Sequence, residues 1–104
     1  MASVNEVVNA RCCGLDVHKE TVVACVRTIG SGGTVKQEVH TFATTTRGLL
    51  ELGDWLSASR VTIVAMESTG VYWKPVWNIL SDGNFVLIVA NAAHIKNVPG
   101  RNTA

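Results

Sequence analysis

Charge is scarce in this chain of 104 residues: Asp, Glu, Lys and Arg together make up 16 %, against about 25 % in an average soluble domain. Nine basic side chains against eight acidic ones leave a net charge of +1. That balance excludes a protein that wraps a phosphate backbone by bulk charge, so any contact with nucleic acid must be local. Long apolar runs are also missing. The longest, residues 85–90, is six residues, where a spanning helix needs about 20. The N-terminus carries Glu6 and lacks the basic-then-apolar layout of a secretory signal. The expectation is a soluble, cytoplasmic chain with no membrane partner. Cysteine is limited to Cys12, Cys13 and Cys25, with no CxxC pair, which argues against a disulfide framework or a zinc knuckle. On a strand, Cys12 and Cys13 point to opposite faces and cannot jointly grip one ion. They read as small buried hydrophobes in a reducing compartment. Apolar residues, by contrast, are abundant at 47 %. That content excludes disorder, and the length fits a single core.

The order of elements follows from hydrophobic period. Residues 1–10 read as a flexible leading segment. Residues 11–17 and the β-branched stretch 21–26 read as two strands joined by a tight turn at His18-Lys19-Glu20. Gly30-Ser31-Gly32-Gly33 marks a turn, and 34–42 alternates as a third strand. The period then lengthens. Thr44, Thr45 and Thr46 offer N-cap hydroxyls, and Leu49, Leu52 and Leu56, with Leu50 and Trp55, recur as on an amphipathic helix. Residues 61–66 and 85–90 are near-continuous apolar strands, the type found where both faces are covered and neighbours run parallel. Between them a second helix is predicted over 71–80, with Tyr72, Val76, Ile79 and Leu80 on one side, Pro75 near its first turn and Gly83 as C-terminal cap. A meander followed by βαβ units, β-β-β-α-β-α-β, is the layout of a mixed α/β sheet of the ribonuclease H-like fold.

Two acids fall where such a sheet could use them. Asp16 lies at the end of the first strand and Glu67 directly follows Met66 at the end of the fourth. In this topology those strands are neighbours, so the carboxylates converge at one edge. Hard divalent ions are commonly held by one or two carboxylates plus substrate phosphate and water. Capping is the simpler reading of each acid, since an acid near a helix N-terminus is favourable in any case.

Three blocks are more specific: Gly14-Leu15-Asp16-Val17-His18-Lys19, Met66-Glu67-Ser68-Thr69-Gly70-Val71-Tyr72-Trp73, and Ala93-His94-Ile95-Lys96-Asn97-Val98-Pro99-Gly100-Arg101-Asn102-Thr103. In order and spacing they closely resemble the N-terminal domain of the DEDD transposases of bacterial insertion sequences, the insertion sequence 110 family. The resemblance runs from about Arg11 to the end. It implies a RuvC-like nuclease fold over residues 11–104, lacking the C-terminal part of that fold, whose four acids bind Mg²⁺ or Mn²⁺ for DNA strand cleavage and recombination during transposition. Asp16 matches the first acid and Glu67 the second, as catalytic residues and metal ligands. Ala104 stands where the third acid of the Asp-x-x-Asp motif belongs. The resemblance further implies a following helical segment, a C-terminal domain carrying a serine nucleophile, and an element-encoded guide RNA. With two acids of four, the isolated chain is expected to be inactive.

Other residues have both a plain and a functional reading. His18 and Lys19 flank Asp16 and could meet a phosphate, or be solvated turn residues. Lys96 and Arg101 form a small basic bias in a tail that has no acid after Gly83. Tyr72, Trp73 and Trp77 gather half the aromatics. Trp73 is the candidate for stacking on a base, against ordinary packing. Two further classes compete with the nuclease reading. One is a non-catalytic module for homo-oligomerisation or nucleic-acid docking through a sheet face left uncovered. The other is a nucleotide-binding domain of the actin and sugar-kinase type. That type needs a second glycine-rich phosphate loop, and Ser68-Thr69-Gly70-Val71-Tyr72 supplies one glycine.

Overall fold

A computed structural model describes residues 11–91. The expected leading segment 1–10, and Lys96, Arg101 and the third sequence block, lie outside the described residues. Strand β1 (Arg11–Val17) and β2 (Thr21–Ile29) form a hairpin closed by the amide of His18 donating to the Thr21 carbonyl at 2.8 Å. A short 3-10 turn, Ser31–Gly33, leads into β3 (Val35–Ala43). Gly32 and Gly33 hold φ of 77° and 83° there, a left-handed backbone that glycine enters without steric cost. Helix α1 (Thr46–Ala58), β4 (Ile63–Ser68), α2 (Trp73–Leu80) and β5 (Val86–Asn91) follow. The sheet runs β3-β2-β1-β4-β5. The first three strands pair antiparallel, and β4 and β5 continue parallel to β1. This is the mixed α/β sheet that the sequence pattern predicts.

Helix α1 begins where Thr45 accepts the Gly48 amide at 3.0 Å, a side-chain cap that satisfies one of the four free N–H groups of the first turn. It ends in a Schellman arrangement: the Val61 amide donates to Leu56 and that of Arg60 to Ser57, with Arg60 at φ 58°. Leu49, Leu52 and Leu56 are buried, each contributing about 1.5–3 kcal/mol of apolar burial. Leu50, placed with the stripe by spacing, is instead exposed, because the buried stripe is narrower than the leucine run. Helix α2 starts at Trp73, two residues later than predicted, after a turn in which Gly70 takes φ 60°. Pro75 falls in its first turn, where the missing N–H costs nothing.

The apolar strands β4 and β5 depart from expectation in their surroundings: the pattern predicts cover on both faces, and the described residues cover only one. Cys13, Leu15, Val17, Val22, Ala24, Val26, Val64 and Met66 are buried in one core cluster with the leucines of α1 and with Val76 and Leu80 of α2. The alternate residues face away from it: Ala65 is exposed, and Val86 and Ile88 retain 59 % and 50 % of their surface. Both helices pack on the same side, so among the described residues period-two alternation leaves the other side open. The strands also run slightly later than expected, which places Glu67 inside β4.

The cysteines follow the same division. Cys13 is buried on the helix side, while Cys12 and Cys25 are half-buried. Burial pushes the Cys13 thiol up from 9.0 to about 12. The stability this represents is complete below pH 9 and is lost as pH climbs toward 12, since only the unfolded thiol ionises there. Denaturant titrations in that window should show a Cys13→Ala variant with a shallower fall than the parent, by up to about 1.4 kcal/mol per pH unit. A parallel pair of curves would refute the assignment. The helix makes a second expectation. Replacing a helix-interior glycine by alanine normally stabilises by about 1 kcal/mol, but a methyl at Gly48 would overlap the Ala43 backbone, while one at Gly53 meets Leu80 Cδ2 at 3.6 Å. Urea midpoints should therefore fall for Gly48→Ala, by about 1–3 kcal/mol of strain, and hold or rise for Gly53→Ala.

Candidate active site on the open sheet face

The pairing of β1 with β4 sets Asp16 directly opposite Glu67. Adjacent strands lie about 4.8 Å apart. Because Leu15, Val17, Met66 and Ser68 turn toward the helices and are buried, the residues between them must turn to the open face. Asp16 and Glu67 are both exposed there. The structure thus brings together the two acids that the sequence singled out. On the flanking strands Val23 stands opposite Asp16 and Ala90 opposite Glu67, so no further acid stands in line with them.

Of the floor of this site, the sequence blocks include only Gly14, with no role assigned to it. A shallow depression of about 330 Å³ is lined by both acids with Gly14, Val23, Cys25, Ala65 and Ala90 among its walls. Gly14 precedes Asp16 by two positions and Ala65 precedes Glu67 by two, and the two pair in register. A Cβ at Gly14 would meet nothing within 4 Å, so the glycine is not forced by packing. A small-residue floor in mid-strand marks a place where something else can approach the sheet. The alternation itself is the available signal: Gly-x-Asp and Ala-x-Glu put a small residue beside each acid on the same face.

His18 adds a polar contact. Its Nε2 lies 3.1 Å from Asp16 Oδ2, with both side chains more than half exposed. Such a contact holds one carboxylate oxygen while leaving the other free. Lys19 occupies the same hairpin turn, and its carbonyl accepts from the Thr44 hydroxyl at 2.8 Å, which ties the turn to the start of α1. Trp73 stands apart from the acids: it pairs edge to face with Trp77 on α2, on the helix-covered side. Among the described residues, no group of three or more His, Cys, Asp or Glu is arranged to hold a metal ion, and no helix is long and apolar enough to cross a membrane.

A five-stranded mixed sheet in the order β3-β2-β1-β4-β5 with two helices packed on it is the ribonuclease H-like, RuvC-like fold. Within that fold class the chain belongs to the DEDD transposases of the insertion sequence 110 family, whose model, described as a transposase, matches residues 13–104. No curated protein sequence matches the chain. The chain is similar in structure to the fowlpox virus Holliday junction resolvase, at 16 % identity and a TM-score of 0.57, over 90 % of this chain and 67 % of that one. The same viral resolvase in complex with its substrate Holliday junction DNA gives 16 % and 0.56, over 88 % and 66 %. The Ppx/GppA enzyme of Aquifex aeolicus is similar at 13 % identity and a TM-score of 0.54, over 78 % of this chain, which spans 36 % of that enzyme. At these identities the likeness is one of fold.

Two exposed carboxylates side by side repel by on the order of 1 kcal/mol in water, and an open glycine in a strand costs conformational entropy. The site should therefore be a small stability defect. Neutralising either acid, Asp16→Asn or Glu67→Gln, and filling the floor by Gly14→Ala should each leave the unfolding free energy in urea titrations unchanged or raise it, by up to about 1 kcal/mol. A clear loss of stability in all three would mean that these residues serve the fold instead.

Proposed function

We propose that residues 11–104 are the N-terminal catalytic-type domain of an insertion-sequence transposase. It binds DNA and takes part in metal-dependent strand cleavage and recombination through Asp16 and Glu67. The observation that carries this reading is the register of β1 against β4, which sets two exposed carboxylates together over a floor of Gly14, Ala65 and Ala90.

The donor set fits a hard cation. Both groups are carboxylates, and the site offers oxygen ligands with open space beside them, as Mg²⁺ or Mn²⁺ requires. When bound, such an ion supplies charge neutralisation at a phosphodiester and activates an attacking oxygen. The chain's own residues do the rest. The Asp16 carboxylate is steadied by His18 through one oxygen, in the way that ligating carboxylates are themselves hydrogen-bonded. Lys19 and His18, on the turn next to Asp16, are placed to meet a phosphate with positive or donor groups. The small floor lets a sugar-phosphate backbone come close without displacing side chains. The resolvase bound to its junction DNA lends the fold-level support for DNA as the partner.

A second reading draws on the same open face, whose half-exposed Val86 and Ile88, with Val39 at 62 %, would suit a docking surface between copies. One titration separates the two. Free Mn²⁺ followed by electron paramagnetic resonance should show binding that Asp16→Asn and Glu67→Gln each weaken by at least about tenfold. Wild-type binding by both variants would overturn the metal site and leave the face as a docking module. Two carboxylates fall short of a closed two-ion site, so the purified 104-residue chain should bind the ion without cutting DNA. Mg²⁺-dependent cleavage by it, lost in Asp16→Ala, would contradict that.

A further inference from the structure

Helix α2 is only eight residues, Trp-Lys-Pro-Val-Trp-Asn-Ile-Leu. Val76 and Leu80 are buried against the sheet. Trp73 and Trp77, one turn apart, share a different face. Their rings meet edge to face, with centroids 6.1 Å apart and planes at 88°. Both are half-buried, although tryptophan is among the residues with most to gain from full burial. Beside them lies a cleft of about 480 Å³, walled by Trp73, Lys74, Trp77 and Asn78 and floored by Val89 of β5. This is within the usual size range of small-ligand sites, about 300–1,000 Å³. Strand β5 is the last strand of the sheet order, so the cleft opens at the sheet edge.

Its chemistry is selective. Lys74 is the one charged residue of the lining, and no acid accompanies it. An apolar peptide side chain would fill the aromatic surface but gain nothing from a cation that has no acid beside it among the described residues. A nucleotide uses all of it: the base takes the indole rings, its polar edge takes the Asn78 amide, which both donates and accepts, and the phosphate takes Lys74. Position agrees. Val89 pairs in register with Met66, the neighbour of Glu67, and the following Ala90 pairs with Glu67 itself. The cleft therefore sits around the β5 edge from the acids, near the same end of the sheet.

We propose that this cleft is a stacking site for an unpaired base of single-stranded nucleic acid, with Trp73 and Trp77 as its aromatic walls and Lys74 on the adjoining phosphate. The proposal rests on the reading of the chain as a DNA-processing domain and specifies where a single strand is held, around the β5 edge from the acids. Stacking of this kind is tolerant of sequence, because every base has a π-face.

The test uses the whole 104-residue chain carrying Trp55→Phe, so that tryptophan emission reports the cleft, in buffer with EDTA and no divalent ion. A ten-nucleotide oligothymidylate should quench the emission. The same oligomer made of abasic sites, with equal phosphate charge, should not, and blunt duplex should quench far less. Trp77→Ala should weaken binding roughly five- to 150-fold. Because Trp77 is half-buried, two exposed positions provide a check independent of folding. Asn78→Asp and Lys74→Glu should each weaken binding, and Lys74→Met should lower the salt slope by about 0.7. Equal quenching by the abasic oligomer, or parental affinity in both Asn78→Asp and Lys74→Glu, would overturn the proposal. So would quenching by a leucine-rich amphipathic peptide and by no oligonucleotide, which would make the cleft a protein-docking groove. The Mn²⁺ titration is separate from this one, so a failed metal site and a failed stacking site give different results.

Discussion

The in-register parallel pairing of β1 with β4 governs the rest of the structure. A strand alternates its side chains strictly, so once Leu15 and Val17 are committed to the core beneath the helices, Asp16 has one possible direction. The same holds for Glu67 between Met66 and Ser68. Slipping β4 by one residue against β1 would exchange Met66 for Glu67 in the core and bury an unpaired carboxylate, at a cost of several kcal/mol. The hydrophobic commitment of one face therefore fixes the chemistry of the other. The acids need no direct structural support to be brought together, because the leucines of α1 and the valines of β1 and β4 do it for them.

Coverage of a single face has a second consequence. Both helices, α1 and α2, lie against the buried side, and the open side combines the acids with apolar residues such as Val86 and Ile88. Gly14, Ala65 and Ala90 adjoin the acids, with Val23 opposite Asp16 on β2, while the more exposed apolar residues Val86, Ile88 and Val39 lie along β5 and β3. The face is thus graded. Its centre is shallow and can be approached by a backbone, and its margins are apolar enough to favour a covering partner. Glycine at position 14 gains the fold nothing, since a methyl there meets no neighbour. Its presence is better accounted for by what approaches the sheet than by the sheet itself.

Much of this is legible in the residues. The order of elements follows from period, and the threonine run at 44–46 marks where the first helix starts, although the choice of Thr45 as the cap comes only with the structure. Strands β4 and β5 are parallel to β1 as expected, but not for the expected reason of cover on both faces. The adjacency of Asp16 and Glu67 follows from topology once the ribonuclease H-like layout is chosen. The coverage of β4 and β5 does not follow, for an identifiable reason: a short apolar run such as Val86 to Ala90 says that a strand is hydrophobic, and nothing about which face is covered. Only the placement of both helices on one side decides that. Leu50 falls to the same ambiguity, because Leu49 and Leu50 are adjacent and only one can lie at the centre of the stripe. The two-residue delay of α2 reflects Gly70, whose positive φ inserts a turn before the helix can start.

The aromatic helix illustrates how composition and geometry divide the work. Spacing alone assigns Trp73 and Trp77 to one side of a helix, and at that level packing is the ordinary explanation. What spacing cannot supply is that α2 lies at the margin of the sheet, against its last strand, so that nothing in the described chain closes over the two rings. Tryptophan at a half-covered edge keeps its apolar area partly exposed, a cost that the chain could have avoided with leucine at the same positions. A leucine pair would offer no π-face. The paired indoles pack against the core on one side, and with Lys74 as the only charge on their helix they are the features from which the proposed stacking site is argued.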